Sequence, residues 1–110
     1  MTIIQGSAQY HYKGCIKLEN SKERLLVIDG QGEMIFPNGS RYLGSWKNGV
    51  FHGRGKYIWP EKKAIYEGCY KNGSKHGHGK YYIPEEKVYF EGYWEDGEAI
   101  TEEEKVIELT

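Results

Sequence analysis

Cysteine, proline, leucine and alanine are all scarce in this 110-residue chain, and each scarcity removes a class of architecture. The two cysteines, Cys15 and Cys69, lie far apart and show neither metal-ligand nor redox spacing. A disulfide scaffold and a zinc module therefore have no footing, and free thiols in a reducing compartment are expected. Few leucines and alanines argue against a helical bundle. The longest aliphatic run, Leu25-Leu26-Val27-Ile28, is far short of the ~20 residues of a membrane-spanning helix. The opening residues, from Met1 through Gln5, lack the basic start and apolar core of a secretory signal, and no lipidation motif stands at either end. The expected setting is intracellular and cytoplasmic. Asn38-Gly39-Ser40 and Asn72-Gly73-Ser74 match the glycosylation pattern, but they fall where turns are expected and read as turn chemistry.

What the chain has is aromatic residues (15%), 15 glycines and 10 tyrosines. Such a mixture favours strands and turns, with a thin core built from rings. The net charge of −1 hides an asymmetry. By count of Lys and Arg against Asp and Glu, residues 1–40 are neutral, 41–82 carry +7 and 83–110 carry −8. A basic middle followed by an acidic end suggests an anionic partner for the middle, or head-to-tail pairing between copies in a homo-oligomer.

Internal repetition dominates the rest. Residues 42–65 and 66–89 are identical at 13 of 24 aligned positions, so repeat architecture takes precedence over any single motif. Each copy opens with an alternating triplet, Tyr42-x-Gly44-x-Trp46 or Tyr66-x-Gly68-x-Tyr70, and Phe90-x-Gly92-x-Trp94 begins a third. Alternation places ring, glycine and ring on one side of a strand, leaving room for another ring across the gap. Lys47-Asn48-Gly49, Lys71-Asn72-Gly73 and Glu95-Asp96-Gly97 then supply hairpin turns. The chain returns through Gly53-x-Gly55-x-Tyr57-x-Trp59 and Gly77-x-Gly79-x-Tyr81-x-Ile83, and Pro60 and Pro84 close these strands, as Pro37 does earlier. One repeat is one hairpin, advancing an antiparallel meander by ~10 Å.

A degenerate hairpin over 10–41 precedes the clean repeats, with a longer linker at 19–24. A partial repeat over 90–100 is expected to lack its return strand. Residues 101–110 form an acidic cap, read either as a short helix with Thr101 as N-cap or as an edge strand.

The combination of Tyr-x-Gly-x-Trp/Tyr, Lys-Asn-Gly and His-Gly-x-Gly resembles the MORN repeat (membrane occupation and recognition nexus). The resemblance covers about two thirds of the chain. It implies an all-β, single-layer, elongated antiparallel meander forming a single domain over 1–110. It also implies a scaffolding role, in settings such as junctional membranes, cilia and cytoskeletal assemblies; in family members that are enzymes, catalysis sits in another domain.

Two surfaces are candidates. The ring face, Tyr42, Trp46, Tyr57, Trp59, Tyr66, Tyr70, Tyr81, Phe90 and Trp94, is expected to pack as the core while leaving a groove for a protein partner. A basic set, Lys47, Arg54, Lys56, Lys71, Lys75 and Lys80, is the alternative, suited to anionic phospholipids or phosphoinositides. His52, His76 and His78 lack a completed ligand set, so no metal is expected, and His52 and His76 point to a turn role. Neither Gly-x-Gly pair opens a helix, so no phosphate loop or cofactor is expected. Nothing resembles a catalytic constellation, and nucleic acid is not an expected partner. The leading expectation is a non-catalytic adaptor within a larger, cytoskeletal or ciliary assembly.

Overall fold

Alternating side chains and Asn-Gly turns become nine strands: β1 (Thr2–Gln5), β2 (Ala8–Asn20), β3 (Leu25–Ile35), β4 (Arg41–Lys47), β5 (Val50–Trp59), β6 (Ala64–Lys71), β7 (Ser74–Ile83), β8 (Val88–Glu95) and β9 (Glu98–Ile100). They form one antiparallel sheet in simple sequence order, with no helix among the described residues. The structure, a computed structural model, describes residues 1–20, 22 and 25–100. Its extents are 53 × 25 × 21 Å, the elongated single layer that the repeat spacing implies. The helix-or-strand alternative for residues 101–110 lies outside the described residues.

Turn chemistry sets the register. Asn48 and Gly49 have φ of 50° and 82°, and Asn72 and Gly73 have 50° and 89°. Both residues of these two-residue loops are left-handed, as a turn matched to strand twist requires. Each turn glycine also ties back to the preceding repeat: Gly49 N donates to Ile28 O, Gly73 N to Phe51 O and Gly97 N to Lys75 O, at 2.8, 2.8 and 3.0 Å.

The registers align one unbroken row of glycines across seven strands: Gly14, Gly32, Gly44, Gly55, Gly68, Gly79 and Gly92. The neighbouring row on the same face is Tyr12, Met34, Tyr42, Tyr57, Tyr66, Tyr81 and Phe90. Tyr42 and Tyr66 lie down across the glycines, with Tyr42 over Gly55 and Tyr66 over Gly79. Beyond the glycine row the hairpins β2·β3, β4·β5 and β6·β7 bulge. Two steps on β4, from Gly44 to Trp46, face four on β5, from Gly55 to Phe51, and β2·β3 and β6·β7 repeat the pattern. The bulge turns on Gly53 and Gly77, with φ of 87° and 93°.

Two expectations at the ends are corrected. The last repeat does receive a return strand, since β9 pairs with β8 through Tyr93↔Ile100, Trp94↔Ala99 and Glu95↔Glu98. At the other end, the degenerate hairpin over 10–41 is preceded by β1, which turns through Gly6 and Ser7 and pairs with β2.

Candidate functional site

All nine ring-face residues anticipated from the sequence fall in one cluster on one side of the sheet. Tyr42, Trp46, Tyr66, Tyr70, Tyr81 and Trp94 are buried, while Tyr57, Trp59 and Phe90 are half-buried against them. The repeat geometry links them edge to face. Tyr12, Trp46, Tyr42, Tyr70, Tyr66, Trp94 and Phe90 form a continuous chain of T-shaped contacts, with centroids 5.0–5.8 Å apart and interplanar angles of 79–89°. The first ring of a repeat touches the second ring of its own repeat and that of the next. Such pairs contribute about 0.5–1.5 kcal/mol each beyond area burial, so cohesion between repeats runs through this chain.

Polar ends of the rings are satisfied within the sheet. The Tyr12, Tyr42 and Tyr66 hydroxyls donate to the carbonyls of Cys15, Ser45 and Cys69, at 2.7, 2.8 and 2.8 Å. The indoles of Trp46 and Trp94 donate to Gly32 O and Gly79 O, both at 3.1 Å. Burial pushes the Tyr66 phenol up to about 12 and raises Tyr42 and Tyr70 as well.

The face is not fully covered. An open depression of about 250 Å³ is lined by Ile28, Met34, Phe36, Trp46, Val50 and Phe51. Phe51, absent from the anticipated face, stacks on Tyr42 at 3.9 Å and 8°. The signal was present: the alternation of Tyr57, Gly55 and Gly53, carried back one more step, reaches Phe51. Tyr12, Met34 and Phe36 in the degenerate hairpin belong to the same face.

The same step in the next repeat reaches Lys75, which the structure sets apart from Arg54, Lys56 and Lys80 of the basic set. Lys75 lies on the ring face, its ammonium 5.0 Å from the Trp94 ring, 5.1 Å from Trp59, 5.6 Å from Tyr66 and 5.8 Å from Tyr81. Burial pulls this ammonium below the usual lysine range, and the charge of Lys62 adds to the effect. Lys47 and Lys71 are exposed beside the turns.

Arg54, Lys56 and Lys80 are on the opposite face, where charges alternate. Lys13, Glu33, Leu43, Lys56, Glu67, Lys80 and Glu91 are successive register partners. Lys56 pairs with Glu67 at 3.3 Å, and His78 approaches Glu91 at 3.8 Å. Lys80 sits over Tyr82 and Tyr89, 5.1 and 4.9 Å from their centroids. The Tyr82 hydroxyl donates to Glu67 at 2.8 Å, and this bond holds the Glu67 carboxyl below its usual range, with Lys56 contributing. Arg54 reaches the Cys69 sulfur at 3.9 Å. The turn role anticipated for His52 is visible in its Nδ1, which accepts from Asn72 N at 3.4 Å. Asp29 does the same for Asn48 N one repeat earlier, at 2.9 Å.

The hairpin unit described by these contacts coincides with a known repeat. The family profile of the MORN repeat matches residues 27–41, 42–62 and 66–85, about half the chain. The chain is a MORN-repeat protein. A 30-residue stretch is 50% identical to MORN repeat-containing protein 3 of Xenopus laevis, covering 27% of this chain and 13% of that protein. The chain thus matches only a small part of that relative's length. The three MORN matches contain most of β3 to β7 and their turns. Membership in the family points in general terms to protein or membrane binding.

Proposed function

We propose that this MORN-repeat protein is a non-catalytic adaptor that holds a segment of a protein partner on its aromatic face. The observation carrying this reading is the incomplete cover of that face: Phe36, Phe51, Tyr57 and Trp59 are only half-buried beside an open depression lined by apolar side chains. Rings already fixed by packing lose little freedom on binding, which favours them as anchors. The family resemblance supports placing the adaptor in a cytoplasmic assembly, cytoskeletal or ciliary in kind. The lipid-surface alternative draws less support, because Lys56 is ion-paired with Glu67, Lys80 stands between Glu67 and Glu91, and Lys75 faces the other way.

Capture experiments with immobilised protein test the reading. A partner should be retained by the wild type and by Lys56→Glu, and lost with Val50→Arg, which places a charge at the depression. Retention by Val50→Arg with loss on Lys56→Glu would contradict it.

A further inference from the structure

Successive repeats differ at one position on the aromatic face. Phe51, stacked on Tyr42, and Lys75, over Tyr66, are 24 residues apart and equivalent in the hairpin. Where the first repeat completes an apolar surface, the second puts an ammonium among the faces of four rings. Ring faces attract a cation but accept no conventional hydrogen bond from it at full strength. Among the described residues, no carboxylate lies within ion-pair distance of the Lys75 ammonium and no acceptor is bonded to it. Lys62 adds positive potential at the same place. The site is therefore a half-buried cation with unfilled donors, set in an apolar surface.

We propose that Lys75 is the anchor for a carboxylate, an Asp or Glu side chain on the partner segment that docks on this face; the proposal rests on the docking reading above. The geometry specifies more than the charge. The depression at Phe51 and the Lys75 ammonium are one repeat apart, two strand spacings or about 10 Å. An α-helix rises about 1.5 Å per residue, so a helical segment spans that distance in seven residues and keeps both side chains on one face. The partner is an amphipathic helix with a large apolar residue and an Asp or Glu seven positions apart. A desolvated, charge-assisted pair of this kind contributes more than a neutral hydrogen bond.

The test uses a phage library of random 16-residue peptides selected on the wild-type protein, with Lys75→Phe, which restores the Phe51 chemistry, as the comparison. Selected peptides should lose binding to Val50→Arg and carry Asp or Glu seven positions from an apolar residue. Their affinity should drop about tenfold or more on Lys75→Phe and stay unchanged on Lys56→Glu. Peptides that need Val50 but carry no acidic residue, or that bind Lys75→Phe equally well, would overturn the carboxylate anchor and leave docking intact. Peptides indifferent to Val50→Arg would overturn both. Sedimentation with vesicles containing phosphatidylserine that disappears in Lys75→Phe would overturn the proposal in favour of a membrane occupant.

Discussion

The ring of Tyr66 occupies the space above Gly79 that a Cβ there would need, and its hydroxyl closes on the Cys69 carbonyl at 2.8 Å. One tyrosine thereby joins two strands, covers the glycine row and caps a carbonyl beside the bulge. Replacing Gly79 with alanine forces the ring off its seat, because the obstruction is a packed ring rather than a flexible chain end. Gly79→Ala should cost about 1–3 kcal/mol or more. Gly92→Ala meets only the Phe90 ring, at 3.0 Å and beyond, and should cost less. Urea unfolding of the two variants decides this.

Hydroxyl bonds to the bulge carbonyls should be separable from ring packing. Tyr66→Phe keeps the ring and leaves Cys69 O without its donor, an expected loss of about 1–2 kcal/mol. Phe90 holds the equivalent position without a hydroxyl. Phe90→Tyr should gain little, because Tyr93 is paired with Ile100 in the β8·β9 ladder, where no bulge frees its carbonyl. A neutral Tyr66→Phe in urea unfolding would contradict the role given to the hydroxyl.

Alkaline pH should unfold the protein in a defined window. Burial raises the phenols of Tyr42, Tyr66 and Tyr70 above their usual value of 10.0. The stability they contribute is whole below pH 10 and is lost as pH rises toward their folded values, because the unfolded chain releases those protons first. Lys75 works in the other direction, since its lowered pKa favours folding as pH rises, but only up to its usual 10.5. Above about pH 10.5 stability should fall steeply. Absorbance at 295 nm should show three tyrosines ionising together with unfolding, measured by circular dichroism.

Lys75→Phe should fold and be slightly more stable than the wild type, by about 1 kcal/mol. It removes a desolvated charge and restores ring stacking of the Tyr42–Phe51 kind. Chemical denaturation at pH 7 checks this, and a loss exceeding 1 kcal/mol would show that the four rings hold the cation favourably.

Much of the fold was legible in the sequence because two signals coincide in every repeat. Alternation fixes the ring side, and Asn-Gly fixes where the chain reverses. What was missed has physical causes. The return strand β9 was overlooked because Thr101 and Glu103 hold the positions of the glycine pair Gly53 and Gly55, so the motif ends although pairing through Ile100 does not. β1 went unread although Gly6-Ser7 is a hairpin dipeptide. Phe51, and the ring-face setting of Lys75, are hidden for a shared reason: the alternation breaks at the bulge glycines, and the residues beyond them return to the ring face. The identity of the rings was readable, whereas which of them stay half-exposed depends on packing between repeats. Tyr89 and Tyr93, 62% and 66% exposed, illustrate this. Their type matches the core rings, but they are set on the opposite face.

The central claim is that the ring face, from Phe51 to Lys75, is where a partner segment lies. Side-chain NMR of the protein, titrated with peptides from the selection, measures this directly through the indole of Trp59 and the rings of Phe51, Tyr89 and Tyr93. The account predicts shifts at Phe51, Trp59 and the Lys75 side chain, with Tyr89 and Tyr93 unmoved; shifts confined to Tyr89 and Tyr93 would contradict it.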